Sequence, residues 1–273
     1  MKKLIAFLII ATLFMQCSDK KTAIKPNETT VIGLFTPYEL MPEIVHKKVK
    51  EIKETNFWPL EKNGKIEAGQ RLNTAARDTL SWTADFMVQF DESGLAEKVI
   101  HLNENDDPYE SWIIKNEAGY PVNASFFVRD SIAGKQEITK INDTSYRWKI
   151  INPQTDTLRS SGVLELNENR NYKTLQFYNF KGEPTSKYEW MYNSSGQLAG
   201  YTVSRNDTVR MGMNFTYNEK GSCETQEVYS KINGESETNR YEYEYDDAGN
   251  WTKAVSFVNE KPFIVALREY TYY

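Results

Sequence analysis

The side chains of this 273-residue chain that could do chemistry are few and far apart. His46 and His101 are the two histidines, and neither has a second ligand at the spacing a zinc site needs. No phosphate loop, nucleophile elbow or calcium loop occurs. Asp106-Asp107-Pro108 could supply metal ligands or a glycosidase carboxylate, but Asp and Pro are equally the residues of a turn, and the turn is the expectation. Glu242 and Glu244 alternate with tyrosines, which on a strand puts both on one solvated face. Cys17 and Cys223 are the two cysteines. A thiol without a basic or helix-N-terminal setting, as at Cys223, reads as a small buried side chain. Catalysis, a metal and a cofactor are therefore not expected.

The elements that must position these groups begin with an address. Met1-Lys2-Lys3 leads into an apolar run, Leu4 to Met15, too short to span a bilayer comfortably. The run ends at Gln16-Cys17 and the chain then turns polar. This resembles a bacterial lipoprotein signal, which implies removal of residues 1–16 and a lipid on the Cys17 thiol. An uncleaved anchor or an ordinary secretory peptide would also export the chain. Gln16 departs from the small residue usual before that cysteine, a looseness that lipoproteins of Bacteroidota-type bacteria tolerate. The expected location is the cell envelope, at the outer membrane, with the lipid as the membrane contact. Residues 17–37, threonine-rich with Pro26 and Pro37, read as a flexible tether. Loss of residues 1–16 removes two lysines, leaving 33 − 2 = 31 Lys+Arg against 38 Asp+Glu, a net charge of −7. With no basic run, nucleic acid is not an expected partner. Residues 38–273 form the folded domain, with a short helix expected near 38–46 and then a strand through Phe57 and Trp58.

From there the chain is periodic. Ile66-Glu-Ala-Gly69, Asp91-Glu-Ser-Gly94, Asn116-Glu-Ala-Gly119, Asn142-Asp-Thr-Ser145, Asn167-Glu-Asn-Arg170, Asn193-Ser-Ser-Gly196, Asn218-Glu-Lys-Gly221 and Asp246-Asp-Ala-Gly249 follow one another at 25 to 28 residues. An Asp or Asn that opens a turn can accept from the backbone two residues on, and a closing glycine takes a positive φ. Gly94, Gly119, Gly196, Gly221 and Gly249 are thus expected in equivalent structural turns. A second set lies midway, among them Asn105-Asp-Asp-Pro108, Arg129-Asp-Ser, Thr155-Asp-Thr, Lys181-Gly-Glu-Pro184, Asn206-Asp-Thr and Asn259-Glu-Lys-Pro262. Between turns the strands alternate. Val209, Met211, Met213, Phe215 and Tyr217 share one face, with Arg210, Asn214 and Thr216 on the other. Gly212 falls on the polar face, where valine should suit the pleat. Tyr241, Tyr243 and Tyr245 form an apolar row of the same kind, with Tyr243 expected to be largely buried and Glu242 and Glu244 in solvent.

Tyr245-Asp-Asp-Ala-Gly249, Tyr217-Asn-Glu-Lys-Gly221, Tyr192-Asn-Ser-Ser-Gly196 and Phe90-Asp-Glu-Ser-Gly94 resemble the YD repeats of Rhs-type proteins. More closely, residues 57–273 look like small YD-repeat lipoproteins of Bacteroidota. The resemblance specifies turns, not chemistry, and with about eight units it does not imply a toxin-enclosing shell. The expected fold is all-β: an antiparallel meander of about eight units of about 25 residues. A flat sheet would leave its aromatic face bare, so it should curl into a spiral, a flattened barrel or a sandwich-like shell. A transmembrane barrel would show the same alternation with the apolar face outwards. Short strands, a tyrosine-rich apolar face and the lack of a long turn set oppose it.

Asp78-Thr79-Leu80, Asp130-Ser131-Ile132, Asp156-Thr157-Leu158 and Asp207-Thr208-Val209 are similar to the sites that Bacteroidota O-glycosylate on exported proteins. Thr79, Ser131, Thr157 and Thr208 are candidate acceptors on that resemblance, although Asp-Thr before a strand is also plain turn chemistry. The expected function is a non-enzymatic, lipid-anchored binding or scaffolding module with an envelope protein or a glycan as partner. An immunity or antitoxin-like lipoprotein and a glycan-active protein are the alternatives.

Overall fold

The computed structural model describes residues 29–30, 44–73, 85–117, 120–169 and 171–273, and every regular element among them is a strand. Two short strands, β1 (Thr29–Thr30) and β2 (Ile44–Val45), pair with each other. Then come β3 (Val49–Lys62), β4 (Lys65–Arg71), β5 (Asp85–Phe90), β6 (Ala96–Leu102), β7 (Pro108–Glu117) and β8 (Tyr120–Val128). They are followed by β9 (Ser131–Asn142), β10 (Ser145–Asn152), β11 (Thr157–Leu166), β12 (Tyr172–Tyr178), β13 (Pro184–Tyr192) and β14 (Leu198–Arg205). The last are β15 (Thr208–Tyr217), β16 (Cys223–Ser230), β17 (Ser236–Tyr245), β18 (Trp251–Val258) and β19 (Lys261–Tyr272).

From β5 to β19 each strand pairs antiparallel with the next, and β19 returns to β3 through Val265↔Phe57 to Tyr272↔Val49. The other edge of β3 is shared. Glu51–Glu54 pair with Gln89–Phe86 of β5, and Phe57–Lys62 pair with β4. The meander therefore closes into a barrel of sixteen strands, β3 and β5–β19, with β4 folded back on the far half of β3. Of the shapes open to the sequence, the closed barrel is the one that forms.

One turn builds most of it. Asp91, Asn193, Asn218 and Asp246 each accept, through the side chain, from the backbone N–H two and four residues on, at 2.8–3.1 Å. Gly94, Gly196, Gly221 and Gly249 close these turns at φ of 81° to 92°. The register then slips by one residue, so that Phe90 faces Ala96, Tyr192 faces Leu198, Tyr217 faces Cys223 and Tyr245 faces Trp251. This is a type I turn ending in a glycine bulge, and the bulge tightens the twist of the hairpin. Gly119 lies outside the described residues. The same turn recurs at the other end of the barrel, opened by Asn103 and Asn179 and closed by Asp106 (φ 64°) and Gly182 (φ 80°). Both openers lie two residues ahead of the turn signals read at 105–108 and 181–184.

Ile66-Glu-Ala-Gly69 is not a turn. It lies inside β4, and the reversal is made two residues earlier by Asn63 (φ 53°) and Gly64 (φ 73°). Positive φ at both central residues defines the type I′ hairpin, for which Asn-Gly is the favoured pair. The helix expected near 38–46 is also corrected at its described end. Ile44–Val45 is extended and pairs with Thr29–Thr30, inside the segment read as a tether.

Register assigns the faces. Ile52, Val88, Val99 and Trp112 are cross-strand partners in turn, and the first three are at most 1 % exposed. They belong to one buried cluster that spans β3 and β5–β8, which marks the inner side of the ring. The opposite face carries Lys135 and Glu137 on β9, Arg147 and Lys149 on β10, and Glu242 and Glu244 on β17, all exposed. Charges at mid-strand on the outer face are incompatible with a lipid-facing band, which excludes the transmembrane-barrel alternative. Gly212 does lie on the outer face, but valine would not suit it: the Tyr229 ring and the Tyr201 carbonyl crowd the space a Cβ would occupy.

The core is divided along the wall. One cluster joins Val45 to β3 and β5–β8, one spans β9–β12, and one spans β13–β17. The fourth lies on the outer face, where Ile66 and Ala68 of the β3–β4 arm pack against Val255, Phe257, Val265 and Leu267.

Candidate functional site

The inner face changes character around the ring. Around β5 it is sealed, with Phe86 and Val88 at 0 % exposure and Val99 opposite at 1 %, while Trp112 and Phe126 on β7 and β8 form a partly exposed stacked pair. On β12–β17 it is aromatic and only partly covered: Phe177, Tyr188, Trp190 and Tyr201 all keep some exposure. Their rings form a continuous series. Trp148 meets Phe177 edge-on at 5.2 Å, Phe177 lies 5.6 Å from Tyr188, and Tyr188 stacks with Trp190 at 5.8 Å. Tyr201 lies 6.1 Å from Tyr188 and 6.3 Å from both Trp190 and Phe215. Cross-strand pairing puts Tyr188 opposite Val203 and Trp190 opposite Tyr201, so neighbouring rings line up across β13 and β14. Trp148 lies flat only because residue 162 is glycine, where a Cβ would stand 2.6 Å from the indole.

A polar array continues this surface onto β15–β17. The Tyr201 hydroxyl donates to Met213 Sδ at 3.0 Å, and Gln226 Nε2 donates to the same sulfur at 3.3 Å. Gln226 Oε1 accepts from the Tyr241 hydroxyl at 2.8 Å and from Asn239 Nδ2 at 3.4 Å. Asn239 is 2 % exposed, and its Oδ1 has no hydrogen-bond partner among the described residues. Burial raises the Tyr241 phenol well above its ordinary value, with the neighbouring Cys223 adding to it. Burial alone pushes Tyr192 up to about 12, and burial with Tyr192 beside it raises Tyr172 further. These phenols remain protonated near neutrality and are not bases; Tyr241 donates its proton to Gln226.

The tyrosine row has a different role. Tyr217, Tyr243 and Tyr270 each donate to the carbonyl two residues beyond a turn glycine: Leu198 at 2.8 Å, Cys223 at 2.7 Å and Trp251 at 3.0 Å. The bond recurs at three turns and fastens a strand to the bulge of its neighbour. Tyr243 is partly exposed, less covered than expected, while Glu242 and Glu244 are exposed and pair with Arg240 and Lys253.

The remaining candidates are not brought together. The N–H of His46 is held by Asn250 at the barrel end, whereas His101 pairs with Glu110 at 3.2 Å. Asp106 closes its turn and binds Arg71 and Lys53. Its carboxyl lies below the usual range chiefly because of the Arg71 bond, burial opposing, with Lys53 assisting. Cys223 is buried, its thiol against the Thr225 carbonyl at 3.3 Å. Ser131, Thr157 and Thr208 are exposed beside their turns. Thr79 and Cys17 lie outside the described residues. Among the described residues no cluster of His, Cys, Asp or Glu could hold a metal ion.

Two buried ionic groups escaped sequence reasoning. Arg268 is 5 % exposed, binds Glu54 at 2.7 Å and lies 3.8 Å from the Trp251 ring. Asp85 is fully buried and accepts from Arg71 Nε and from the Asn56 N–H, both at 2.7 Å. The available signal is a polar residue at an apolar position of the alternation, as at Glu54 two residues after Ile52.

No family model matches this chain, and no curated protein does. Solved structures do. A porin-like protein from Bacteroides uniformis is 10 % identical, with a TM-score of 0.50 over 82 % of this chain and 96 % of that one. A porin-like protein from Bacteroides vulgatus is 11 % identical, with a TM-score of 0.36 over 82 % and 98 %. The Photorhabdus luminescens Tc holotoxin pore is 10 % identical, with a TM-score of 0.18 over 82 % of this chain and 19 % of that one. The first of these likenesses is one of fold: the chain is an all-β, barrel-forming protein.

Proposed function

We propose that this chain is a lipid-anchored cell-envelope protein whose barrel binds a ligand on its inner wall and catalyses no reaction. The observation that carries the reading is the run of partly exposed aromatic rings along one stretch of the inner face. The wall around β5 is sealed by packing, whereas β12–β17 present a continuous series of partly exposed aromatic rings inside a closed wall. Clustered aromatic surface with a few placed polar groups is the usual make-up of a binding site. The lipid anchor rests on the apolar run that ends at Cys17.

Two measurements test this. Cys17→Ser should move the protein from the membrane to the soluble fraction, and unchanged partition into detergent would reject the anchor. Protein purified from envelope extract and then denatured should release a bound small molecule or glycan. If Trp190→Ala releases as much as the wild type, the inner wall is not where the ligand sits.

A further inference from the structure

The aromatic wall and the polar array adjoin through Tyr201, whose ring faces Trp190 and whose hydroxyl reaches Met213. Together they offer two kinds of contact side by side. Flat rings at Tyr188, Trp190 and Tyr201 suit the apolar face of another ring. Gln226, Tyr241 and Asn239 supply amide and phenol groups in one connected set. We propose that the inner wall of β12–β17 binds a neutral oligosaccharide, with sugar rings stacked on Tyr188, Trp190 and Tyr201 and a sugar hydroxyl donating to Asn239 Oδ1.

This inference rests on the reading above that the interior is a binding surface, and it adds the ligand class. The second, independent observation is Asn239 itself. An acceptor on a residue 2 % exposed, without a partner among the described residues, carries a desolvation cost that a hydroxyl donor would offset. The oxygen is covered, so reaching it takes a shift of the neighbouring side chains. An acyl chain would leave that acceptor and the surrounding amides unmatched. An anionic glycan is disfavoured by a chain of net charge −5 whose Glu237 is exposed and, by its pairing with Val228, lies on the inner side of β17.

The test uses the full exported chain and titrates cellohexaose, maltohexaose and chitohexaose by calorimetry, with a fluorescent fatty acid as the contrasting probe. At least one hexasaccharide is expected to bind, with Trp190→Ala weakening it tenfold or more and Trp190→Phe weakening it less while preserving the fold. Asn239→Leu should weaken it about three- to tenfold with the melting temperature retained. Fatty-acid binding without hexasaccharide binding overturns the glycan inference but leaves the interior-binding reading standing. Hexasaccharide binding that neither Trp190→Phe nor Asn239→Leu alters overturns the assignment of these residues. Binding of neither probe overturns the ligand class. Loss of the envelope-derived ligand as a Trp190-dependent species is the separate result that would remove the underlying reading.

Discussion

At the scale of single residues, glycines and tyrosines divide the work of shaping the wall. Gly196 and Gly249 share a turn geometry but not a neighbourhood. No side chain lies within 4 Å of the Cβ position at Gly196, whereas His46 is 3.2 Å from it at Gly249. Gly196→Val should therefore cost about 1–3 kcal/mol from backbone strain alone, and Gly249→Val more, because it also presses on the N-terminal clamp. Chemical denaturation checks the order. Gly212→Val should destabilise as well, and Tyr229→Ala should recover part of the loss by vacating the occupied space. The tyrosine lock predicts about 1 kcal/mol for Tyr243→Phe, which removes the bond to the Cys223 carbonyl while keeping the ring. Raised phenol pKa values have a definite sign. Tyr192 and Tyr241 are held neutral in the fold, so their contribution is complete below the unfolded value near 10 and is lost as pH rises through the folded one. The melting temperature should fall between about pH 10 and pH 12, and Tyr192→Phe should flatten that fall.

At the scale of elements, the hairpin unit was legible and its exceptions were not. Asn218 and Gly221 announce their turn because the side-chain acceptor and the positive φ are local requirements that few residues meet. The Met211–Tyr217 alternation announces its strand for the same reason. Ile66-Glu-Ala-Gly69 imitated that signal, yet Asn63-Gly64 supplies a tighter turn two residues before it and absorbs the motif into β4. Gly212 was misread because the ring that covers it comes from Tyr229 on the next strand, a contact that alternation cannot reveal. Gln226 and Asn239 were passed over because their partners, Met213 and Tyr241, are joined to them only by register. The β3–β4 arm owes its position to a small outer cluster, so it should open on its own. Gly64→Val is expected to speed amide exchange across Phe57–Arg71 while leaving β10 and β11 protected, as hydrogen-exchange mass spectrometry would read.

At the scale of the whole molecule, closure depends on the pairing of β3 with β19, at opposite ends of the chain. Such a long-range ladder must wait for the intervening strands, which predicts slow folding for the size. A chain ending at Val258 would lack β19 and leave β3 and β18 with open edges. It should lose cooperative unfolding and form higher oligomers by edge pairing, visible in size-exclusion chromatography. Ring closure was beyond the sequence because nothing in Val49–Lys62 says that one edge of the strand will be shared between β4 and β5.

The clamp at the barrel end has a mechanical consequence. Asn250 accepts from the His46 N–H at 2.7 Å and donates to the His46 carbonyl at 2.9 Å, immediately before the chain enters β3. Tension arriving from ahead of β1 meets the β1–β2 pairing and these two bonds, and is then transmitted along the axis of β3. That strand is paired on both sides, so its ladders to β19 and β5 are loaded in parallel, as shear, and cannot be peeled one bond at a time. A pull from the N-terminal side therefore loads β3 in shear against both of its neighbours.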